Sequence, residues 1–220
     1  MNNEVILNEK DILAYIKDAI KSCNYGKLSM QQGLFHHNTN YKSLLSVIKY
    51  GLLSIEGLRN HGVYNISEDT LKLADDELSH INGKNGISLS KVGLTDLYRD
   101  EFEYNPLNPQ YVDIQIDDVT ARRNSEHYGN EFIAMDSIGN DKFKCIDTRL
   151  LELCKLYENN SLRNYNSQDL INNLNSLIES ANYLKQNNLY IPIRDTSFNE
   201  ENIIDIDKIA NTSKISCKSL

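Results

Sequence analysis

Apolar residues recur with the spacing of an amphipathic helix along three stretches of the chain. The first covers residues 11 to about 23, and its apolar stripe consists of Ile12, Tyr15, Ile16, Ala19 and Ile20. The second is Tyr41–Tyr50, which Gly51 follows at the place where a left-handed residue commonly ends a helix. The third covers residues 168 to about 186, with Ser167 as its predicted N-cap.

Five short segments have the alternating or continuously apolar pattern of β-strands. They are residues 33–37, 87–90, 111–117, 131–135 and 143–146. Loops are predicted at residues 24–32 and 55–66, and a further helix near residues 67–80. After Pro192 the chain is polar, so we expect it to pack loosely or to be partly disordered.

Helices come first, short strands lie in the middle and helices return at the end, an order typical of an α+β domain. The 220 residues are enough for one compact domain, or for a domain with an appendage. We predict a main domain at residues 1–158, which includes the N-terminal helix. A C-terminal helical extension and tail are predicted at residues 159–220.

The formal net charge of −8 argues against a broad nucleic-acid interface, which needs clustered Lys and Arg, but permits one short strand in a local basic groove. The four cysteines form no CxxC motif and are expected to be reduced thiols. The sequence contains no run of about 18 apolar residues and no visible signal peptide. We therefore expect no membrane partner, and either a cytoplasmic location or delivery into a target cell without such a signal.

Three polar segments on these elements are candidates for a functional site. His37-Asn38-Thr39 lies between a strand and a helix, where a histidine ring N–H could donate to a ribose hydroxyl and His36 is the competing candidate. Ser88 and Ser90 alternate on the strand at residues 87–90. Glu131 opens an apolar strand, where a buried carboxylate costs several kcal/mol unless it is partnered.

Together these segments resemble the motifs of the ADP-ribosyltransferase superfamily. The resemblance covers roughly residues 33–147, and the motifs follow one another in the same order as in the family. His37-x-Thr39, the following helix and Gly51-Leu52 look like its His-first branch. That branch includes diphtheria-toxin-like and poly-ADP-ribose-polymerase-like enzymes, the DNA-modifying toxin DarT and RNA 2′-phosphotransferases. Ser88 stands where the polymerase-like pattern has Tyr, and Ser88-x-Ser90 matches the arginine-modifying branch instead.

The resemblance implies a split β-sandwich core and an NAD-dependent enzyme, with NAD as co-substrate and no metal. Glu131 would be catalytic, and His37, Asn38, Thr39, Ser88, Ser90 and Tyr98 would bind NAD. Tyr98 would stack on the nicotinamide ring, with Tyr64 and Tyr104 as reserves. The chain would transfer ADP-ribose to a macromolecular acceptor, most simply a protein, as a toxin or effector.

The acceptor stays open. Arginine-specific members carry Glu or Gln two residues before the catalytic Glu, and Gly129 stands there in this chain. A base in DNA or RNA is an alternative acceptor, and Arg122-Arg123 could touch a nucleic-acid strand, a substrate phosphate or the pyrophosphate. Hydrolysis of NAD by water and a catalytically inactive interaction module are the other readings, the last supported by the missing Tyr at position 88.

Overall fold

The computed structural model describes residues 4–7, 9–21, 34–62, 85–91, 111–123, 131–135, 137–159, 161, 165–199, 202–210 and 214–217. Several predicted features lie outside these residues. They are the loop at residues 24–32, the helix near residues 67–80, the three tyrosines Tyr64, Tyr98 and Tyr104, and Gly129.

The helices are α1 (Glu9–Ala19), α2 (Tyr41–Tyr50), α3 (Ile55–Asn60), α4 (Leu150–Glu158), α5 (Ser167–Gln186) and α6 (Ile206–Ala210). The strands of the first half are β1 (Glu4–Leu7), β2 (Ile20–Lys21), β3 (Phe35–Asn40), β4 (Ile87–Ser90) and β5 (Tyr111–Ile116). The remaining strands are β6 (Arg122–Arg123), β7 (Glu131–Ala134), β8 (Phe143–Thr148), β9 (Ile193–Asp195), β10 (Asn202–Ile204) and β11 (Lys214–Cys217).

Nine of these strands form one sheet in the order β2-β10-β9-β8-β5-β3-β4-β7-β6. Its neighbours are antiparallel except β8 and β9, which run parallel. Strands β1 and β11 form a separate parallel pair. The mixed helices and mostly antiparallel sheet confirm the predicted α+β class.

The hydrophobic core lies between one face of the sheet and the helices. Leu44 and Ile48 of α2 and Leu174 and Leu177 of α5 are buried there with Ile114 of β5. Each helix supplies a stripe at i, i+3 or i+4, the spacing that places apolar side chains on one face. The predicted bounds of α2 are confirmed, and its N-cap Asn40 accepts a 2.9 Å hydrogen bond from the Ser43 amide.

Four local predictions are wrong. Part of the predicted loop at residues 55–66 is α3, because Ser54 caps it by accepting from the Gly57 amide at 3.1 Å. Helix α1 ends at Ala19, since the next two residues pair with β10. Strand β3 runs to Asn40, so that residues 38 and 39 lie within the strand and not between it and α2. Helix α5 is capped by Asn166 in a capping box with Asp169, not by Ser167.

The loose packing expected after Pro192 is also wrong for residues 193–199 and 202–210. Strand β9 joins the sheet beside β8, and Ile193, Ile204 and Ile209 are buried in the core. The buried Asp195 carboxylate of this segment has partners: it accepts from the Leu151 amide at 3.2 Å and from the Ser197 amide at 3.1 Å. The sheet and the core therefore continue across the predicted boundary at residue 158.

Among the helices in the described ranges, none is both long and apolar enough to cross a lipid bilayer. The predicted reduced thiols are confirmed for Cys145 and Cys154, which are free and buried.

Candidate functional site

The sheet order brings the predicted polar segments side by side. Strand β4 lies between β3 and β7, so that Ser90 is opposite His36 on one side and opposite Glu131 on the other. Directly opposed residues in an antiparallel ladder project to the same face. His36, Ser90 and Glu131 therefore form one row across three strands that are far apart in the sequence.

Ser88 connects His37 and Glu131. Its hydroxyl donates a 2.7 Å hydrogen bond to Glu131 Oε1, and its backbone carbonyl is 2.9 Å from His37 Nδ1. Ser88 lies two residues before Ser90 on β4, so the diagonal contact to Glu131 crosses one face of the β4–β7 ladder. Ser88 thus contacts one predicted residue from each of the other two segments, whereas His37, which alternates with His36 along β3, projects to the face opposite Glu131.

The β3–β4 ladder has a single Cα pair, His36 with Ser90, within these two fully described strands. Beyond it, the His37 ring takes the Ser88 carbonyl that a backbone N–H would otherwise bind. Strand β3 continues along β5 as far as the pair of Asn40 with Tyr111. The sheet therefore opens between β3 and β4 beside Ser88.

The hydrogen-bonding state of His37 follows from this contact. A carbonyl oxygen can only accept, so Nδ1 carries the hydrogen and Nε2 of the neutral ring is an acceptor. Burial lowers the pKa of His37, and the Ser88 carbonyl opposes that shift only in part. Nε2 of a neutral His37 is therefore a hydrogen-bond acceptor, where the sequence predicts a ring N–H donor.

The other two predicted residues of β3 lie on opposite faces of the sheet. Asn38 is exposed and lies on the face of His36, opposite Asp113. Thr39 is half-buried, lies on the side of His37 and is opposite Val112. Tyr98, which the resemblance assigns to stacking on the nicotinamide ring, lies outside the described residues.

A polar network that sequence reasoning missed continues the row on the other side of β3. His36 Nδ1 lies 2.7 Å from Asp113 Oδ2. Asp113 is opposite Asp147 of β8, whose two oxygens accept from Arg194 Nε at 2.7 Å and Nη2 at 2.8 Å. Gln115 Nε2 also donates to Asp147 Oδ2 at 2.8 Å.

The network is largely buried: Asp113 and Asp147 are 5% and 7% exposed. Burial raises the pKa of Asp147, while the Arg194 guanidinium acts in the opposite direction. The sequence offered one signal, because residues 113 and 115 are the polar positions of an alternating strand. It gave no indication that β3 would be the neighbouring strand.

Arg122 and Arg123 are exposed on the edge strand β6. Arg122 is opposite Ile133, which is itself opposite Ser88, so Arg122 projects to the face that carries Ser88 and Glu131. A cation therefore borders this face at the edge of the sheet.

Comparisons with protein-family models, curated proteins and solved structures find no match to this chain.

Proposed function

We propose that this protein is an NAD-dependent ADP-ribosyltransferase with Glu131 as its catalytic carboxylate. The observation that carries the proposal is the contact of Ser88 with both Glu131 and His37. The family resemblance assigns His37, Ser88 and Glu131 to one site, and Ser88 contacts both of the others although positions 37 and 131 are 94 apart in the sequence. The opening between β3 and β4 supports the finer proposal of an ADP-ribosyltransferase-like split sheet.

The reaction requires little more than positioning and electrostatics. Nicotinamide in NAD⁺ is already cationic, so it leaves with the electrons of its bond to ribose C1′ and needs no protonation. The ribose becomes oxocarbenium-like, as in glycoside transfer. The Glu131 carboxylate would stabilise this positive charge and hold a ribose hydroxyl, while the Ser88 hydroxyl fixes the orientation of Oε1.

Further residues around this contact would hold NAD⁺. His37 would accept from a hydroxyl of the adenosine-side ribose, and the backbone at Asn38 would bind the nicotinamide carboxamide. Thr39 and Ser88 would position the nicotinamide ribose or its surroundings, and Ser90 would also bind NAD⁺. Tyr98 would supply the stacking face.

We propose a protein acceptor and activity as a toxin or effector. A base of single-stranded DNA or RNA is the second candidate, and Arg122 supports it, because this exposed cation lies on the face of Glu131 and could contact a phosphate. An inactive interaction module would retain the fold without binding NAD⁺.

The test is incubation of the purified protein with labelled NAD⁺ and cell extract. We expect label to appear in macromolecules with the wild type and to fall by about 100-fold or more with Glu131→Gln, which removes the charge but keeps the size. Glu179→Gln, at an exposed position of α5, is the matched control and should label like the wild type. Equal labelling by Glu131→Gln and the wild type would remove Glu131 from the site.

The acceptor class follows from the same samples. Label that is lost on protease treatment indicates a protein acceptor, and label that is lost on nuclease treatment indicates a nucleic acid. Nicotinamide release without a labelled macromolecule indicates hydrolysis of NAD⁺. No release, no label and no NAD⁺ binding would indicate the inactive module.

A further inference from the structure

We propose that His36, held by Asp113, is the general base that takes the proton from the acceptor nucleophile. This inference rests on the proposed function and adds a catalytic residue to it. It assigns to His36 a role different from that of its neighbour His37, whose ring is bound to the Ser88 carbonyl.

The position of His36 suits this task. His36 and Glu131 lie on the two sides of Ser90 and project to the same face of the sheet. Two strand spacings of about 4.8 Å separate their Cα atoms by roughly 10 Å. Serine between them extends by only two heavy atoms, so the imidazole and the carboxylate flank a short side chain. An acceptor atom over Ser90 would have the sugar-stabilising carboxylate on one side and a base on the other.

The contact with Asp113 sets the chemistry of the ring. A carboxylate accepts hydrogen bonds, so His36 Nδ1 carries the hydrogen in the 2.7 Å contact and Nε2 is the nitrogen that would gain a proton. Asp113 is 5% exposed, and its Oδ1 has no hydrogen-bond partner within the described part of the chain. A buried carboxylate that lacks a full set of hydrogen bonds is stabilised by a cation beside it, so Asp113 favours the imidazolium form of His36. Asp113 is therefore a positioning residue that acts through His36.

Among the described residues, the charges around His36 act as follows. Asp147, on the strand beyond Asp113, is paired with Arg194, so these two charges largely balance one another. Glu131 is an anion on the far side of Ser90 and adds to the field that favours a protonated ring. Lys91, the cation next to Ser90, has its Nζ 3.5 Å from the centroid of the Phe35 ring.

The step balances without a further reagent. The bond from nicotinamide nitrogen to ribose C1′ breaks, and its electron pair leaves with neutral nicotinamide. A lone pair of the acceptor oxygen or nitrogen forms the new bond to C1′, and the acceptor proton moves to His36 Nε2. Imidazolium returns the proton to water after the products leave.

The test measures the rate of acceptor labelling as a function of pH. The acceptor is the fraction of the extract that the wild type labels. The proteins compared are the wild type, His36→Gln, Asp113→Asn and the control His61→Gln. Glutamine keeps a donor for Asp113 but cannot titrate. We expect His36→Gln to lower the rate by about 100-fold or more and to abolish the wild-type loss of activity at acidic pH that is assigned to the base. His61, exposed at the end of α3, should change neither.

Asp113→Asn keeps the approximate size and removes the charge that stabilises the imidazolium. It should therefore move the acid limb of the profile to lower pH, an effect that a merely structural role for Asp113 would not produce. Calorimetry should show NAD⁺ affinity within about twofold of the wild type for both variants. If His36→Gln fails to fold, the pH at which Asp113→Asn loses activity on the acid side of its profile decides the test by itself.

A wild-type rate in His36→Gln, or coincident acid limbs in wild type and Asp113→Asn, would overturn the role of His36. Failure of the proposed function looks different: the wild type itself would then bind no NAD⁺, or Glu131→Gln would label as fast as the wild type.

Discussion

Replacement of Gly51 by alanine tests the junction between α2 and the segment before β8. Gly51 has φ 76° and ψ −172°, a region that essentially only glycine occupies, and an added Cβ would lie 2.3 Å from the Ile138 carbonyl oxygen. That oxygen accepts from the Leu52 amide at 2.8 Å, and the Leu52 carbonyl accepts from the Ile138 amide at 2.9 Å. The carbonyl therefore cannot move without breaking this bridge.

Backbone strain at such a position costs about 1–3 kcal/mol, and each of the two hydrogen bonds contributes about 0.5–1.5 kcal/mol. Gly51→Ala should therefore lower the free energy of unfolding by about 2–6 kcal/mol, a large part of the total for a domain of this kind. Urea unfolding followed by circular dichroism measures this loss as a lower midpoint at unchanged slope.

Gly62→Ala is the matched control. Gly62 also has a positive φ, 63°, but an added Cβ would have no atom within 4 Å. Gly62→Ala should lower the free energy of unfolding only by the conformational cost of the positive φ, about 1–2 kcal/mol. Equal losses in the two variants would refute the close approach of Gly51 to Ile138 as the source of the effect.

Three further predictions concern charge, thiols and capping. Burial raises the pKa of Asp195 to about 6 from the usual 3.8, so its contribution to stability is present below about pH 4 and is lost as the pH rises through 6. This loss amounts to about 3 kcal/mol, and Asp195→Asn should remove it from the pH dependence of urea unfolding; an unchanged pH dependence would contradict this. Burial raises the pKa of both the Cys145 and Cys154 thiols, so peptide mass spectrometry should find them unalkylated by iodoacetamide until urea unfolds the chain, and modification of the folded protein would count against their burial. Asn166→Ala removes the cap of α5 and should lower the free energy of unfolding by about 1 kcal/mol in the same urea assay, whereas no change would indicate that the capping box contributes nothing.

The periodicity of apolar residues was sufficient to predict those elements whose own residues form a regular apolar pattern. The bounds of α2 follow from a buried stripe, and those of β4 from two buried residues, Ile87 and Leu89, in alternation. Helix α3 was missed because it is only six residues long and contains Gly57. The Ser54 side chain caps it, a contact that composition does not reveal.

Pairings over long sequence separations were not predictable in this way. Strand β9 has only three residues, and it forms because β8, nearly fifty residues earlier, offers a parallel edge. The same limit applies to the site. The neighbourhood of His37, Ser88 and Glu131 was expected only through the family resemblance, and their roles stay predictions. The Asp113–His36 contact depends on the register of β3 against β5, which no local pattern specifies.

The most direct test of the central claim is calorimetric titration of NAD⁺ into the wild type and into Ser88→Ala. The variant removes the hydroxyl that orients Glu131 and keeps the backbone carbonyl that holds His37. The account predicts saturable binding of one NAD⁺ by the wild type and a weaker affinity in the variant. Heats that do not exceed those of dilution in the wild type would contradict it, and would leave an α+β protein that does not use NAD⁺.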